Sequence, residues 1–306
     1  MWEDGDSTSA RAVRPKAKVA DLPDRRLDGE VVIAIMSAHR MADETGRIMD
    51  TLRQSLGIIT AVTMPLSSNI ASIVGHGRSI SDQSDASGTL LVPWGPAFSI
   101  WFPIFAGLLA YAVLQGLPAN RTRGIYRASG WWMIGAMGLV TAWGVAAAFP
   151  PIEASRWLTA VIFVPAVICA CAAMTILSLR KAELSTLEGW LVWAPVSLFA
   201  GWCSLAVFLN WAQLGVNGPI GFGLPEVAIC VLCLALALAW IAWNLHRARG
   251  NRVYAFAPIW GLAFLALARL GVGEPSPTIG VAAIVGSLVL LLSSVVAGRR
   301  LAAADI

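Results

Sequence analysis

Residues 195–211 read PVSLFAGWCSLAVFLNW, and this uncharged, apolar stretch decides the fold class. Trp202, Ala206 and Asn210 lie four residues apart, so on a helix they stack on one face. A large indole, a small residue and an amide in one row are suited to bordering a space between helices. The stretch therefore predicts a buried helix that also lines a pocket.

The composition of the whole chain predicts that the surroundings of this helix are a lipid bilayer. Of 306 residues, 57% are hydrophobic and only 13% are charged, with a mean hydropathy of +0.70. A helix that crosses a hydrocarbon core needs roughly 17–25 apolar residues, and bare backbone amides cannot face lipid. We therefore predict an all-α polytopic membrane bundle of about eight spans, at 55–74, 96–117, 130–149, 157–179, 189–213, 226–246, 253–270 and 279–297.

The distribution of Lys and Arg between the connecting loops gives an orientation. Twelve of these residues fall on one set of loops and ends and three (Arg78, Arg156 and Arg269) on the other, alternating across all eight spans. Cytoplasmic loops carry the excess of basic residues. Both termini are thus expected in the cytoplasm, in a protein of a bacterial inner membrane. The net charge of +4 reflects this topology and does not indicate nucleic-acid binding.

Residues 1–54 differ in composition from the rest of the chain. They are polar and mixed in charge, which predicts a disordered tail over about 1–50, followed by an amphipathic lead-in to the first span. Met36 and Met41 are alternative starts, in which case the upstream residues would be an over-called reading frame.

Several classes of chemistry lack the side chains that they need. The histidines (His39, His76 and His246) fall outside the predicted hydrocarbon core, so paired imidazoles cannot hold a haem between helices. Asp, Glu and Lys are absent from mid-span positions, where ion-coupled transport normally places them. No nucleophile–base pair or metal cluster is readable in the spans either. We expect no enzyme activity, no catalytic or metal site and no covalent cofactor.

Tryptophan is in excess, with fourteen in the chain. Those near span ends have the ordinary role of anchoring at lipid headgroups, but Trp101, Trp143 and Trp202 lie deeper. Deep polar side chains also occur, namely Asn69, Thr141, Asn210 and Gln213. Each amide could simply make an interhelical hydrogen bond. Indoles combined with a few polar groups also line pockets for flat, mostly apolar ligands.

Two motifs resemble the TspO/MBR family, the tryptophan-rich sensory proteins that include the peripheral-type benzodiazepine receptor or translocator protein. PWGPAFSIWFPIF at 93–105 is similar to the family's Pro- and Trp-rich entry to its second helix. The segment 195–211 is similar to its fifth-helix pattern of Pro, Trp, a small residue and Leu-Asn. The resemblance covers about 55–213, in the larger bacterial branch of the family.

This resemblance implies a five-helix ligand-binding core over 55–213, with three appended transmembrane helices over 226–298. It implies a cavity that receives tetrapyrroles, so a porphyrin or haem-type ligand is expected. The absence of Tyr followed by Lys or Arg after Asn210 argues against sterol binding. The expected ligand-binding residues are Trp101, Trp143, Phe199, Trp202, Ala206, Asn210, Asn69 and Thr141.

Three functions follow as alternatives. The leading one is a membrane protein that binds a tetrapyrrole or similar flat hydrophobic ligand, with a sensory, regulatory or trafficking role. The others are a transporter or exporter of such a molecule and a non-enzymatic scaffold subunit. The lipid bilayer and a hydrophobic small molecule are the expected partners, nucleic acid is not, and a homodimer is left open. We also expect the outer loop 75–95 to act as a lid, with its LLVPW segment docked on the cavity mouth.

Overall fold

In the computed structural model, the chain is described over residues 29–79, 82 and 88–302, and its regular elements there are all helical. The apolar runs fold as helices because their backbone groups must be satisfied within the run. Two helices precede the outer loop and seven follow it. They are α1 Gly29–Ser68, α2 Ile70–Val74, α3 Gly95–Gly116, α4 Gly124–Ala148, α5 Ile152–Leu179, α6 Thr186–Asn217, α7 Glu226–Arg247, α8 Arg252–Val272 and α9 Pro277–Ala302.

The seven helices α3 to α9 are long and apolar enough to cross a membrane. They correspond to seven of the eight expected spans and confirm the prediction of a helical membrane bundle. The first expected span, 55–74, does not meet the same criterion among the described residues. α1 ends at Ser68, Asn69 separates it from α2, and the polar Arg53 and Gln54 precede the apolar run.

The expected tail over 1–54 is only partly within the described residues. Residues 1–28 lie outside them. From Gly29 onward the tail is helical as part of α1, so the prediction of disorder to about residue 50 was wrong for this part. The amphipathic lead-in MADETGRIMDTLRQ is rich in good helix formers such as Met, Ala, Glu, Arg, Leu and Gln, which the composition of the whole tail concealed. A compact unit begins at Ile48 and continues to the C-terminus.

Helix α6 lies at the centre of this unit, packed against α3, α5, α7 and α8. Two glycines make the closest approaches possible. A Cβ on Gly201 would lie 2.2 Å from the Tyr254 carbonyl oxygen of α8, and one on Gly107 of α3 would lie 2.3 Å from Cβ of Pro195. Helices approach closely in membranes where small residues meet, because packing drives their association there. The centre of the bundle is therefore fixed by backbone-to-backbone proximity.

Polar side chains also join α6 to the last three helices. Asn251 accepts hydrogen bonds from the first amides of α8 and donates to the hydroxyls of Ser178 and Ser197, at 2.9 and 2.8 Å. The Ser204 hydroxyl accepts from the Tyr254 hydroxyl at 2.9 Å and from the Trp240 indole at 3.2 Å. Hydrogen bonds of this kind replace the unsatisfied polar groups that a hydrocarbon interior penalises.

The end of the bundle at which α1 meets α3 and α4 carries a network of charges and amides. Asp50 accepts from the guanidinium of Arg127, which holds the pKa of this carboxyl below its ordinary value. Arg53 is buried and donates to the Gln115 side chain at 2.9 Å. Gln54 donates to the Gln115 carbonyl, also at 2.9 Å. These partners satisfy charged and amide groups that would otherwise be costly to bury.

The contact at Gly201 gives a stability prediction. We expect Gly201→Ala to lower the melting temperature, because the added Cβ meets a backbone oxygen that cannot move aside, at a cost of about 1–3 kcal/mol. The matched control is Gly189→Ala in the same helix, where a Cβ meets nothing within 4 Å. Equal thermal melting of the two variants would contradict the close approach of α6 and α8.

Candidate functional site

A cavity lies where α3, α4, α5 and α6 meet the segment before α3. The cavity itself has a volume of about 80 Å³, and it lies within about 640 Å³ of empty space, part of which is open to the surroundings. Five of its twelve lining residues are aromatic, and three have polar side chains. The lining residues are Thr89, Val92, Pro93, Phe98, Trp101, Trp143, Phe163, Trp202, Ala206, Leu209, Asn210 and Gln213.

The aromatic side chains of the wall hold one another in place. Trp202 makes edge contacts with Trp101 and Phe98, with ring centroids 6.2 and 6.0 Å apart. Trp143 packs against Phe163 at 5.4 Å. Edge-to-face pairs of this kind are preferred by ring quadrupoles and fix ring orientation. The cavity therefore has preformed flat walls that come from four helices.

Asn210 is the polar centre of the deep part of the cavity. Its side-chain oxygen accepts from the Trp143 indole at 3.2 Å, and its amide donates to the Ala206 carbonyl at 2.9 Å. A primary amide has two donor hydrogens and an oxygen with two lone pairs. Asn210 thus retains one donor and one acceptor position while its orientation is fixed by two protein partners.

Two further polar side chains line the cavity beyond Asn210. Thr89 is 6% exposed, and its hydroxyl has no hydrogen-bond partner among the described residues. Gln213 is half-buried one helical turn beyond Asn210. A buried hydroxyl without a partner is costly, so a ligand that bonds to Thr89 would remove this cost. No charged side chain belongs to the lining within the described part of the chain.

The structure brings together five of the eight residues expected in the site: Trp101, Trp143, Trp202, Ala206 and Asn210. The other three lie outside the lining. Phe199 is fully buried and packs against Trp101 at 6.5 Å. Asn69 is exposed between α1 and α2 and donates to the Pro65 carbonyl. Thr141 donates to the Met137 carbonyl and lies 3.4 Å from the Thr63 hydroxyl of α1.

The segment 88–94 closes one side of the cavity, as expected for LLVPW. Leu90 and Leu91 are buried, and Val92 and Pro93 line the cavity. Helices α7 and α8 hold this segment. Its hydrogen bonds run from the Leu90 amide to the Glu226 carboxylate at 2.8 Å, from Arg269 to the Val92 carbonyl at 3.1 Å, and from the Trp94 amide to the Phe264 carbonyl at 3.2 Å.

These bonds bear on two expectations from the sequence. Residues 80–81 and 83–87 of the expected lid lie outside the described residues, and lid motion stays a prediction. The division into a 55–213 core and an appended 226–298 segment also stays a prediction. Helices α7 and α8 nevertheless supply the hydrogen bonds of the segment that covers the cavity.

The fold and cavity define a class, a helical membrane protein with an aromatic-walled site between its helices. The family model described as TSPO-like protein matches residues 52–296, and the chain belongs to this family. The match includes all seven candidate spans almost completely, so it extends well beyond the 55–213 on which the resemblance rested. No curated protein and no solved structure matches the chain.

The bond between Trp143 and Asn210 can be measured by a double-mutant cycle. We expect Trp143→Phe and Asn210→Leu to be non-additive in unfolding free energy by about 0.6 kcal/mol, the average for hydrogen bonds between membrane helices. The control pair is Trp240→Phe with Asn210→Leu, because the Trp240 indole donates to Ser204 instead. Additivity in both pairs would contradict the bond.

Proposed function

We propose that this protein binds a flat, mostly apolar ligand in the cavity around Trp202, Ala206 and Asn210, with a sensory, regulatory or trafficking role. A tetrapyrrole is the ligand class that membership of the family suggests. The observation that carries the proposal is the convergence of Trp101, Trp143 and Trp202 on one cavity with an oriented amide. These residues come from three separate helices, so the periodicity of a single helix face does not account for their meeting at one cavity.

The chemistry of the lining supports this class of ligand. Indole and phenylalanine rings present flat apolar surfaces to a ring system. Ala206 leaves room beside Trp202, while Asn210, Thr89 and Gln213 offer a few polar contacts. Since no charged side chain lines the described cavity, the carboxylates of a porphyrin would lie at the mouth, and a neutral ester of the same ring should bind as well as the acid.

The decisive experiment is titration of the purified protein with protoporphyrin, followed by tryptophan fluorescence and by porphyrin absorbance. We expect Ala206→Leu to weaken binding by at least about tenfold, about 1.4 kcal/mol, because the larger side chain fills the cavity. Trp202→Ala should weaken binding through loss of the aromatic wall. Asn210→Leu should do so through loss of the polar contact.

The matched control for the titration is Ala235→Leu, the same change at an exposed position of α7. Melting temperatures are measured on every variant. If Ala206 were ordinary helix packing, its enlargement would reduce thermal stability by about 1–3 kcal/mol and leave porphyrin affinity unchanged. That result would refute the proposed site.

The orientation in the membrane is part of the same proposal. The proposal has α1 cross the membrane together with the seven later helices, which places both termini in the cytoplasm, the turn at Arg123 on the cytoplasmic side and the outer loop at Gly88 on the opposite side. Reporter fusions at these two positions should give opposite results, because the Lys and Arg excess lies on the loops that include Arg123. The same side for both fusions would exclude this topology.

A further inference from the structure

A groove lies at the end of the bundle where α5 connects to α6 and α8 begins. It has a volume of about 420 Å³ and lies within about 800 Å³ of empty space, part of which is open to the surroundings. We call it the interfacial groove. It shares no lining residue with the cavity around Trp202. The residues that line it are Lys181, Leu184, Ser185, Thr186, Gly189, Trp190, Trp193, Ala194 and Val253.

The interfacial groove lies at the level of the lipid headgroups. Two candidate spans, α6 and α8, begin beside it, at Thr186 and Arg252. The loops at this end belong to the set that carries the excess of Lys and Arg. The Trp190 side chain is 73% exposed here, as is typical of an indole that lies between headgroups and hydrocarbon. The groove is therefore open to the lipids that surround the protein.

The ammonium group of Lys181 is held at the polar end of the groove. Its nitrogen lies 3.6 Å from the centroid of the Trp193 ring, a cation–π contact. The Trp193 ring is itself oriented, because its indole N–H donates to the Ser178 hydroxyl at 3.2 Å. A ring face positions a cation without neutralising its charge, so the ammonium stays available to an anion.

The carboxylates nearest to Lys181 in sequence are already paired with other residues. Glu183 accepts from Arg180 at 2.6 and 2.8 Å. Glu188 is buried and accepts from Arg123. Lys181 forms no ion pair within the described part of the chain. The groove therefore presents one positioned positive charge that the protein leaves uncompensated.

The lining changes from polar to apolar along α6. Thr186, exposed at the start of the helix, has a hydroxyl beside the Lys181 end. Trp190 and Ala194 follow one and two turns further along, so the groove extends about 12 Å towards the hydrocarbon. Its floor is open at Gly189, where an added Cβ would meet nothing within 4 Å. The groove thus offers an anion site followed by an apolar channel.

We infer that the interfacial groove binds an anionic phospholipid of the surrounding bilayer. The phosphate lies at the Lys181 ammonium, and the first carbons of an acyl chain lie along Trp190 and Val253. Charge complementarity positions the phosphate, and the apolar lining favours a lipid over free phosphate. Basic pockets between transmembrane helices bind anionic lipid headgroups. The inference is independent of the proposed function, because the groove and the cavity have separate linings.

The test measures lipid binding to the intact protein in a neutral detergent by native mass spectrometry. The probes are phosphatidylglycerol and phosphatidylcholine with the same acyl chains. We expect the first phosphatidylglycerol to bind at least about fivefold more tightly than the first phosphatidylcholine, the effect of one Lys on an anionic lipid. Excess glycerol 3-phosphate, which has the phosphate but no acyl chains, should not displace the lipid.

A charge variant tests the role of Lys181. Lys181→Gln should weaken phosphatidylglycerol binding by about fivefold and leave phosphatidylcholine binding unchanged. The matched control is Arg299→Gln, which removes one positive charge at an exposed position outside the groove. Arg299 lies at the same end of the bundle, since Ser294 of α9 donates to the Gly250 carbonyl just before α8. The control should bind phosphatidylglycerol as the wild type does.

A filling variant tests the groove itself without changing the charge. Gly189→Leu occupies the open floor and should weaken phosphatidylglycerol binding by at least about fourfold, the equivalent of excluding one methylene group. The control is Gly46→Leu in α1, where an added Cβ also meets nothing within 4 Å. Melting temperatures without lipid show whether the variants fold. Ala194→Leu, at a half-buried position of the same lining, is used if Gly189→Leu does not fold.

Each of four results would overturn the inference. Equal affinities of the wild type for the two lipids would remove the role of the negative charge. Equal losses in Lys181→Gln and Arg299→Gln would indicate diffuse attraction in place of a site. Unchanged phosphatidylglycerol binding in a folded filling variant would place the lipid outside the groove. Displacement by glycerol 3-phosphate would identify a site for soluble phosphate compounds.

Discussion

The close approach of α6 to its neighbours at Gly201 and Gly107 is the constraint on which the rest of the bundle depends. Without side chains at these positions, the backbone of α6 reaches the Tyr254 carbonyl of α8 and its Pro195 ring reaches α3. In lipid, helix association depends on such packing because apolar burial gives no advantage over lipid tails. Once these approaches fix the axis of α6, Trp202, Ala206 and Asn210 take their positions on its face, and the cavity forms where the neighbouring helices diverge around them.

The polar groups of the bundle differ in how completely they are paired. At the contact of α6 with α7 and α8, Ser204 is paired with Tyr254 and Trp240, whereas the buried Thr175 hydroxyl and the Asn244 side-chain oxygen have no partner among the described residues. The polar groups at the cavity are also incompletely paired, as Thr89 and Asn210 show. A buried polar group without a partner lowers stability, and the proposed ligand would supply the missing partners at the cavity.

Much of this arrangement could be predicted from the sequence, and the failures have physical causes. The four-residue spacing of Trp202, Ala206 and Asn210 was sufficient to place all three on one cavity wall, because helical periodicity alone fixes a face. Asn69 and Thr141 could not be placed in this way. They were expected in the site because of their depth in a predicted span, and depth does not tell which face of the helix a side chain occupies. Asn69 breaks a helix and Thr141 meets another hydroxyl on α1. Thr89 and Val92 of the segment 88–94 and Phe98 at the start of α3 were absent from the expected site, because they reach it only through tertiary contacts that no local spacing reveals.

The hydrogen bonds that hold the outer segment, between Leu90 and Glu226 and between Arg269 and Val92, would couple the proposed ligand site to the ends of α7 and α8 that carry Glu226 and Arg269. A ligand whose bound position keeps Val92 displaced would leave these bonds broken, and its net affinity would be lower by their free energy. Such coupling is reciprocal. A molecule that binds at those helix ends and weakens the same bonds would therefore raise the affinity of the cavity for its ligand. An occupied cavity would raise the affinity of the helix ends for that molecule by the same factor.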